Sequence, residues 1–189
     1  MKSRSNLGLL VNPFTRIAGL KAFGIGLLAV VLMGVVGALS GIAFNGVLDV
    51  HFVPEISFAE SFAYLGIGIL SVVLVMYVVA LIASKNVRFV DVLGTMTLAK
   101  APYLVVSFFG FLTTPPDISA LLQNPLTFEL PIGFILITIL IIPFTVWYVA
   151  MMYNALKVSG NLKGRRLVVS FIIGLIVAEI LSLVAILFV

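Results

Sequence analysis

The sequence predicts an all-α integral membrane protein: a bundle of five transmembrane helices, N-terminus cytoplasmic and C-terminus outside. Composition is the first reason. Of the residues, 62% are hydrophobic and only 10% charged, against soluble averages of ~45–50% and ~25%. Five apolar stretches are the second reason, at 22–44, 62–83, 92–114, 130–152 and 167–189. Each has the ~20 residues that cross ~30 Å of hydrocarbon as a helix. The third is the placing of cations. Lys2, Arg4, Arg16 and Lys21 precede the first stretch, Lys85 and Arg88 lie between the second and third, and Lys157, Lys163, Arg165 and Arg166 precede the fifth. The segments 45–61 and 115–129 carry no Lys or Arg. Basic connections stay cytoplasmic, so this alternation sets the expected topology.

The elements follow in order as one membrane domain, 1–189, with 1–21 a short cytoplasmic or interfacial segment. Asn12-Pro13 has the form of a helix N-cap followed by proline, and Phe14, Ile17 and Leu20 are expected to line one side of an interfacial turn. The first span is glycine-rich. Gly34, Gly37 and Gly41, with the Gly37-xxx-Gly41 spacing, are candidate helix-packing positions, because absent side chains let backbones approach. Ala38-Leu39-Ser40 resembles a signal-peptide cleavage site. The 21-residue segment before the apolar run, and the continuation of that run to Phe44, favour a retained span.

Asp49, His51 and Glu55 in the next connection are metal-capable side chains. A solvated acidic loop is the expected reading, and no metal or cofactor is assigned. Ser57-Phe58-Ala59-Glu60 has capping-box spacing ahead of the second span. Pro102 and Pro143 fall inside the third and fourth spans and are expected to kink them. Trp147, Tyr148 and Tyr153 cluster as an interfacial aromatic belt would. Asn161 and Gly164 are expected turn residues of the last basic loop.

Two ionisable residues lie within the spans. Lys100 is roughly 12 Å and Glu179 roughly 18 Å from the cytoplasmic ends of their helices, by residue count. Intramembrane charges face the bundle interior and find partners, which makes this pair the candidate polar site. A Lys100–Glu179 pair, snorkelling by Lys100, and a satisfied polar contact of a protonated Glu179 remain open.

Several chemistries are disfavoured. Cysteine is absent and the single histidine lies outside the spans, so thiolate chemistry and bis-histidine haem ligation are excluded. No metalloprotease HExxH, P-loop or dinucleotide glycine motif occurs. No enzyme activity is expected. The net charge of +4 reflects topology rather than nucleic-acid binding.

The pattern resembles the Yip1 family of five-span membrane proteins. The resemblance rests on Asn12-Pro13-Phe14-Thr15-Arg16-Ile17 before the first span, and on Phe89-Val90-Asp91-Val92-Leu93 with Ala99-Lys100-Ala101-Pro102 in the third. Trp147-Tyr148 followed by Asn154-Ala155-Leu156-Lys157 completes it. Lys100 departs from the small or apolar residue expected there. Eukaryotic members are associated with early secretory membranes (endoplasmic reticulum and Golgi), bind prenylated Rab-type GTPases and one another, and have a long cytosolic N-terminal region. The short segment 1–21 therefore implies a compact prokaryotic-type member of the cytoplasmic membrane, in which small-GTPase binding is not expected.

Two functional expectations follow. The preferred one is a non-enzymatic membrane-organising or partner-binding protein. Its partners would be membrane lipids, further membrane proteins or a second copy of the chain. Lys157, Lys163, Arg165 and Arg166 form the candidate surface for anionic lipid or a partner, with Lys85 and Arg88 beside it. The alternative is a small transporter or channel subunit using Glu179 and Lys100 in a cavity shaped by the proline kinks.

Overall fold

The computed structural model describes residues 6–84, 86–116 and 130–189. Lys2, Arg4, Lys85 and most of the expected 115–129 connection lie outside them. Among the described residues, five helical segments are long and apolar enough to cross a membrane: Gly19–Ser40, Phe58–Ala83, Phe89–Leu112, Ile132–Ser159 and Gly164–Ile186. The first, α2, follows a short helix α1 (Asn6–Val11) and a 3₁₀ turn at Pro13–Thr15. A two-residue strand β1 (Ile42–Ala43) then pairs antiparallel with β2 (His51–Phe52). The second span is α3 (Phe58–Ala83). The third divides into α4 (Phe89–Ala99), α5 (Pro102–Ser107) and a 3₁₀ turn at Phe108–Leu112, and the last two are α6 (Ile132–Ser159) and α7 (Gly164–Ile186).

Local chemistry explains the boundaries. Ser57 and Glu60 close a reciprocal capping box at the start of α3: the Ser57 hydroxyl accepts the Glu60 N–H at 3.1 Å, and the Glu60 carboxylate accepts the Ser57 N–H at 2.8 Å. Helix α2 stops at Gly41, whose φ of +74° is a left-handed cap that a side chain would strain. The apolar run continues to Phe44, so the helix ends four positions earlier than 22–44 implies. The reason is that Ile42, Ala43 and Phe44 are buried in the bundle as a folded-back loop. Asn161 and Gly164, with φ of 48° and 58°, make the turn between α6 and α7.

The third span is the centre of the bundle. In its apolar window 72% of the residues are buried, against 6% in the fourth span. Helix α2 packs along α4, α3 along α7, and α6 against α4 and α5. Helices α2 and α4 nearly touch backbone to backbone: a Cβ on Gly26 would stand 2.5 Å from the Leu98 nitrogen, and one on Gly94 would overlap the Gly19 carbonyl. Of the expected packing glycines, Gly34 meets α3 most closely, and Gly37 touches it only at the Ser61 hydroxyl, 3.7 Å from its would-be Cβ. The Phe62 ring lies 2.6 Å from the would-be Cβ of Gly34, and the Ser61 hydroxyl donates to the Gly34 carbonyl at 2.9 Å. Gly37 and Gly41 face the Ile42 and Val53 carbonyls of the adjoining hairpin.

Two further expectations meet a different arrangement. Phe14 is buried in the core while Leu20 is exposed, so the N-terminal turn does not present Phe14, Ile17 and Leu20 as one interfacial side. Tyr148 is fully buried rather than part of a surface belt, because it packs against Tyr103. Trp147 donates to the Leu10 carbonyl at 2.8 Å and Asn154 to that of Val11 at 3.3 Å, tying α1 to α6.

Substituting Gly94 by alanine forces a methyl group into the Gly19 backbone and is expected to cost ~1–3 kcal/mol. Gly66→Ala, with open space around its Cβ, is expected to be neutral or slightly stabilising. Thermal unfolding in detergent, followed by Trp147 fluorescence, compares the two.

Candidate functional site

A chain segment that leaves regular structure inside an apolar bundle carries peptide N–H and C=O groups that need partners. The loop 44–50, between β1 and β2, is such a segment. Val53 N–H donates to the Gly41 carbonyl at 2.8 Å, closing the hairpin base, and Phe44, Gly46 and Val47 are buried. Its deepest part reaches Glu179, roughly 10 Å below the Ile186 end of α7 by residue count.

Two consecutive peptide units lie crosswise between the third and fifth spans. Their carbonyls, Gly46 and Val47, accept from the Lys100 ammonium at 3.1 and 3.5 Å. Their N–H groups point the other way: Val47 N–H donates to the Ser182 hydroxyl at 3.2 Å, and Leu48 N–H to Glu179 Oε2 at 2.9 Å. Ser182 in turn donates to the Glu179 carbonyl at 2.8 Å. The Leu48 carbonyl accepts from the Tyr103 hydroxyl at 2.8 Å, which also lies 3.2 Å from the Thr145 hydroxyl of α6. Carbonyls therefore face donors on the third span, and N–H groups face acceptors on the fifth.

Pro102 builds the donor side. Lacking an N–H, it cannot bond the Leu98 carbonyl, which accepts from Ala101 N–H at 3.1 Å instead, while Lys100 N–H reaches Thr97 at 3.3 Å. The tightened turn separates α4 from α5 and carries Lys100 at the break, with Tyr103 three residues on. The Lys100 side chain is 1% exposed. Its amine lies 6.0 and 5.8 Å from the Tyr103 and Tyr148 ring centres, within cation–π range. Lys100 does not snorkel. Nor does it pair directly with Glu179: the ion pairs among the described residues are His51–Asp49 and Arg88–Asp91. Lysine and glutamate meet through the loop between them.

Space is as constrained as charge. A Cβ on Gly46 would stand 3.0 Å from Glu179 Oε1 and 2.8 Å from Asp49, and one on Gly68 of α3 would meet the Gly46 carbonyl at 2.7 Å. Phe44 stacks on Tyr103 at 5.6 Å, sealing the side. The Tyr148 hydroxyl is buried and has no hydrogen-bond partner among the described residues.

Other candidate residues lie elsewhere. Pro143 is exposed within α6, which continues unbroken from 132 to 159. Lys157, Lys163, Arg165 and Arg166 are exposed at the opposite end of the bundle. His51 contacts Asn45 at 2.6 Å and Asp49 at 3.7 Å. Glu55 lines a separate groove of about 660 Å³ with Glu60. No group of three metal-ligating side chains stands together among the described residues. Tyr103, Ser182, Gly46 and Gly68 were not among the sequence candidates. Tyr103 and Ser182 each sit three residues after an expected site residue, on the same helical face, and that spacing is the signal that points to them.

No protein-family model, curated protein or solved structure matches this chain.

Lys100→Met strands two buried carbonyls and is expected to destabilise by ~1–3 kcal/mol. Glu179→Gln keeps an oxygen for Leu48 N–H and is expected to be milder than Glu179→Ala. Amide hydrogen exchange reads this locally: protection at Val47 and Leu48 should fall in Lys100→Met and Glu179→Ala while the helices stay protected.

Proposed function

We propose that this chain is a non-enzymatic multi-pass membrane protein of Yip1 type that organises membrane or binds partners. One observation carries this reading. Both intramembrane ionisable side chains are engaged by the chain's own loop, Lys100 through the Gly46 carbonyl and Glu179 through the Leu48 N–H. Transport sites gather at broken helices, where charged groups face space that a substrate can enter. Here the break at Pro102 is filled by the chain's own peptide groups, so the polar site acts as a fastening.

The orientation proposed is N-terminus cytoplasmic and C-terminus outside. Supporting it, Arg16, Lys21, Arg88, Lys157, Lys163, Arg165 and Arg166 share the end where α2 begins and α3 finishes. Asp49, Glu55 and Glu60 share the other. The resemblance of Asn12-Pro13-Phe14-Thr15-Arg16-Ile17 to the segment before the first span of prokaryotic members favours the cytoplasmic membrane of a prokaryote. The hairpin loop is drawn into the bundle and the α6–α7 turn is short, so partners engage the spans. The fourth span, least buried of the five, offers them most surface.

Native mass spectrometry of the protein extracted in lipid discs tests this. A stoichiometric membrane partner or a defined oligomer is expected. A lone protomer that conducts ions or solute into liposomes, with flux abolished by Glu179→Gln, would overturn the proposal in favour of a transporter.

A further inference from the structure

Where α3 ends and α7 begins, two adjoining grooves of about 750 and 580 Å³ lie on either side of the Arg166 side chain. Lys163 lines the first and Arg165 the second, and Ile82 forms part of the wall of both. Val169 and Ser170 complete the second. Among the described residues none of these three cations is paired with a carboxylate. The opening turn of α7 adds backbone N–H groups that have no acceptor within the helix.

The walls matter as much as the charges. Ile82 is 83% exposed, and Val78 and Leu74 continue its face of α3 at four-residue spacing. Val169, Ile173 and Val177 do the same on α7, all of them exposed. An amphiphile with an anionic head fits both halves, with its head at the cations and its chain along the ridges. A small soluble anion satisfies only the mouth. Topology alone needs cations in the connection, but does not set Arg166 in the wall common to two grooves with Lys163 in one and Arg165 in the other.

We propose that this double groove binds one anionic phospholipid of the surrounding bilayer, its phosphate held by Arg166 between Lys163 and Arg165. Arginine suits the role because its planar fork presents paired donors to phosphate oxygens. The acyl chain lies over Ile82 and Val169. The assignment rests on the membrane-crossing helices and holds whichever side of the membrane this end faces. It is also independent of the partners proposed above.

The test is native mass spectrometry of the full chain titrated with dioleoyl phosphatidylglycerol or dioleoyl phosphatidylcholine. Wild type is expected to retain one phosphatidylglycerol in preference to phosphatidylcholine. Arg166→Gln and Lys163→Gln are each expected to weaken that retention about fivefold, the worth of one cation near the membrane surface. Arg16→Gln, which removes a cation from another segment of the same end, is expected to leave it unchanged. Ile82→Asn keeps every cation and is expected to weaken retention through the wall; it decides the matter alone if Arg166→Gln fails to fold. Equal retention of both lipids by wild type would overturn the proposal, as would equal losses in Arg16→Gln and Arg166→Gln. Displacement of the lipid by an equal concentration of glycerol 3-phosphate would overturn the role of the acyl chain and with it the assignment.

Discussion

Peptide groups taken out of water need partners, and the rest of this structure depends on how that need is met at residues 46–48. A loop inside an apolar bundle has no solvent to turn to, and each unpaired group would cost several kcal/mol. Four side chains supply the partners: Lys100 and Tyr103 as donors, Glu179 and Ser182 as acceptors. The expensive residues of the sequence are thus accounted for by an expensive piece of backbone. The break at Pro102 belongs to the same solution, since Lys100 sits at it and Tyr103 opens the next helix beside it.

The lock also explains why the third span is the most buried. It must lie against α2, whose hairpin it holds, and face α7, which holds the opposite edge of the same peptide units. Close approach to α2 demands small residues, and Gly26 and Gly94 occupy that crossing, while Gly68 of α3 leaves room for the Gly46 carbonyl and the Lys100 amine. The fourth span joins this arrangement through Thr145, beside the Tyr103 hydroxyl, and through Tyr148, whose ring lies against Tyr103 and the Lys100 amine; elsewhere it is tied to α1.

The helical architecture was legible because hydrophobic length and charge composition act locally: the five stretches, the Ser57–Glu60 capping box and the Asn161–Gly164 turn need no knowledge of the fold. Lys100 and Glu179 were legible as a site for the same reason, since a charge within an apolar run is costly wherever it sits. Their partner was not. A buried loop reads as apolar sequence, so Gly41–Phe44 merged with the helix before it, and nothing in local periodicity marks where a chain turns back. Tyr148 shows the converse limit. An aromatic near a helix end fits an interfacial belt equally well until a buried lysine and Tyr103 are found beside it.

The manner of joining separates this site from an ordinary buried ion pair. Two charges in direct contact can often be replaced together by apolar side chains at little cost, because the pair's desolvation penalty disappears with it. That exchange fails here. Replacing Lys100 and Glu179 by apolar residues of similar volume would remove both ionisable groups, yet leave the Gly46 and Val47 carbonyls and the Leu48 N–H without partners. The two peptide dipoles also align with the charges, carbonyl ends toward the ammonium and N–H ends toward the carboxyl and hydroxyl of α7. Each side chain is therefore partnered by backbone that would itself be unpartnered without it. The lysine and the glutamate are bound to the hairpin more strictly than to each other, and the hairpin, in turn, has no apolar substitute for either.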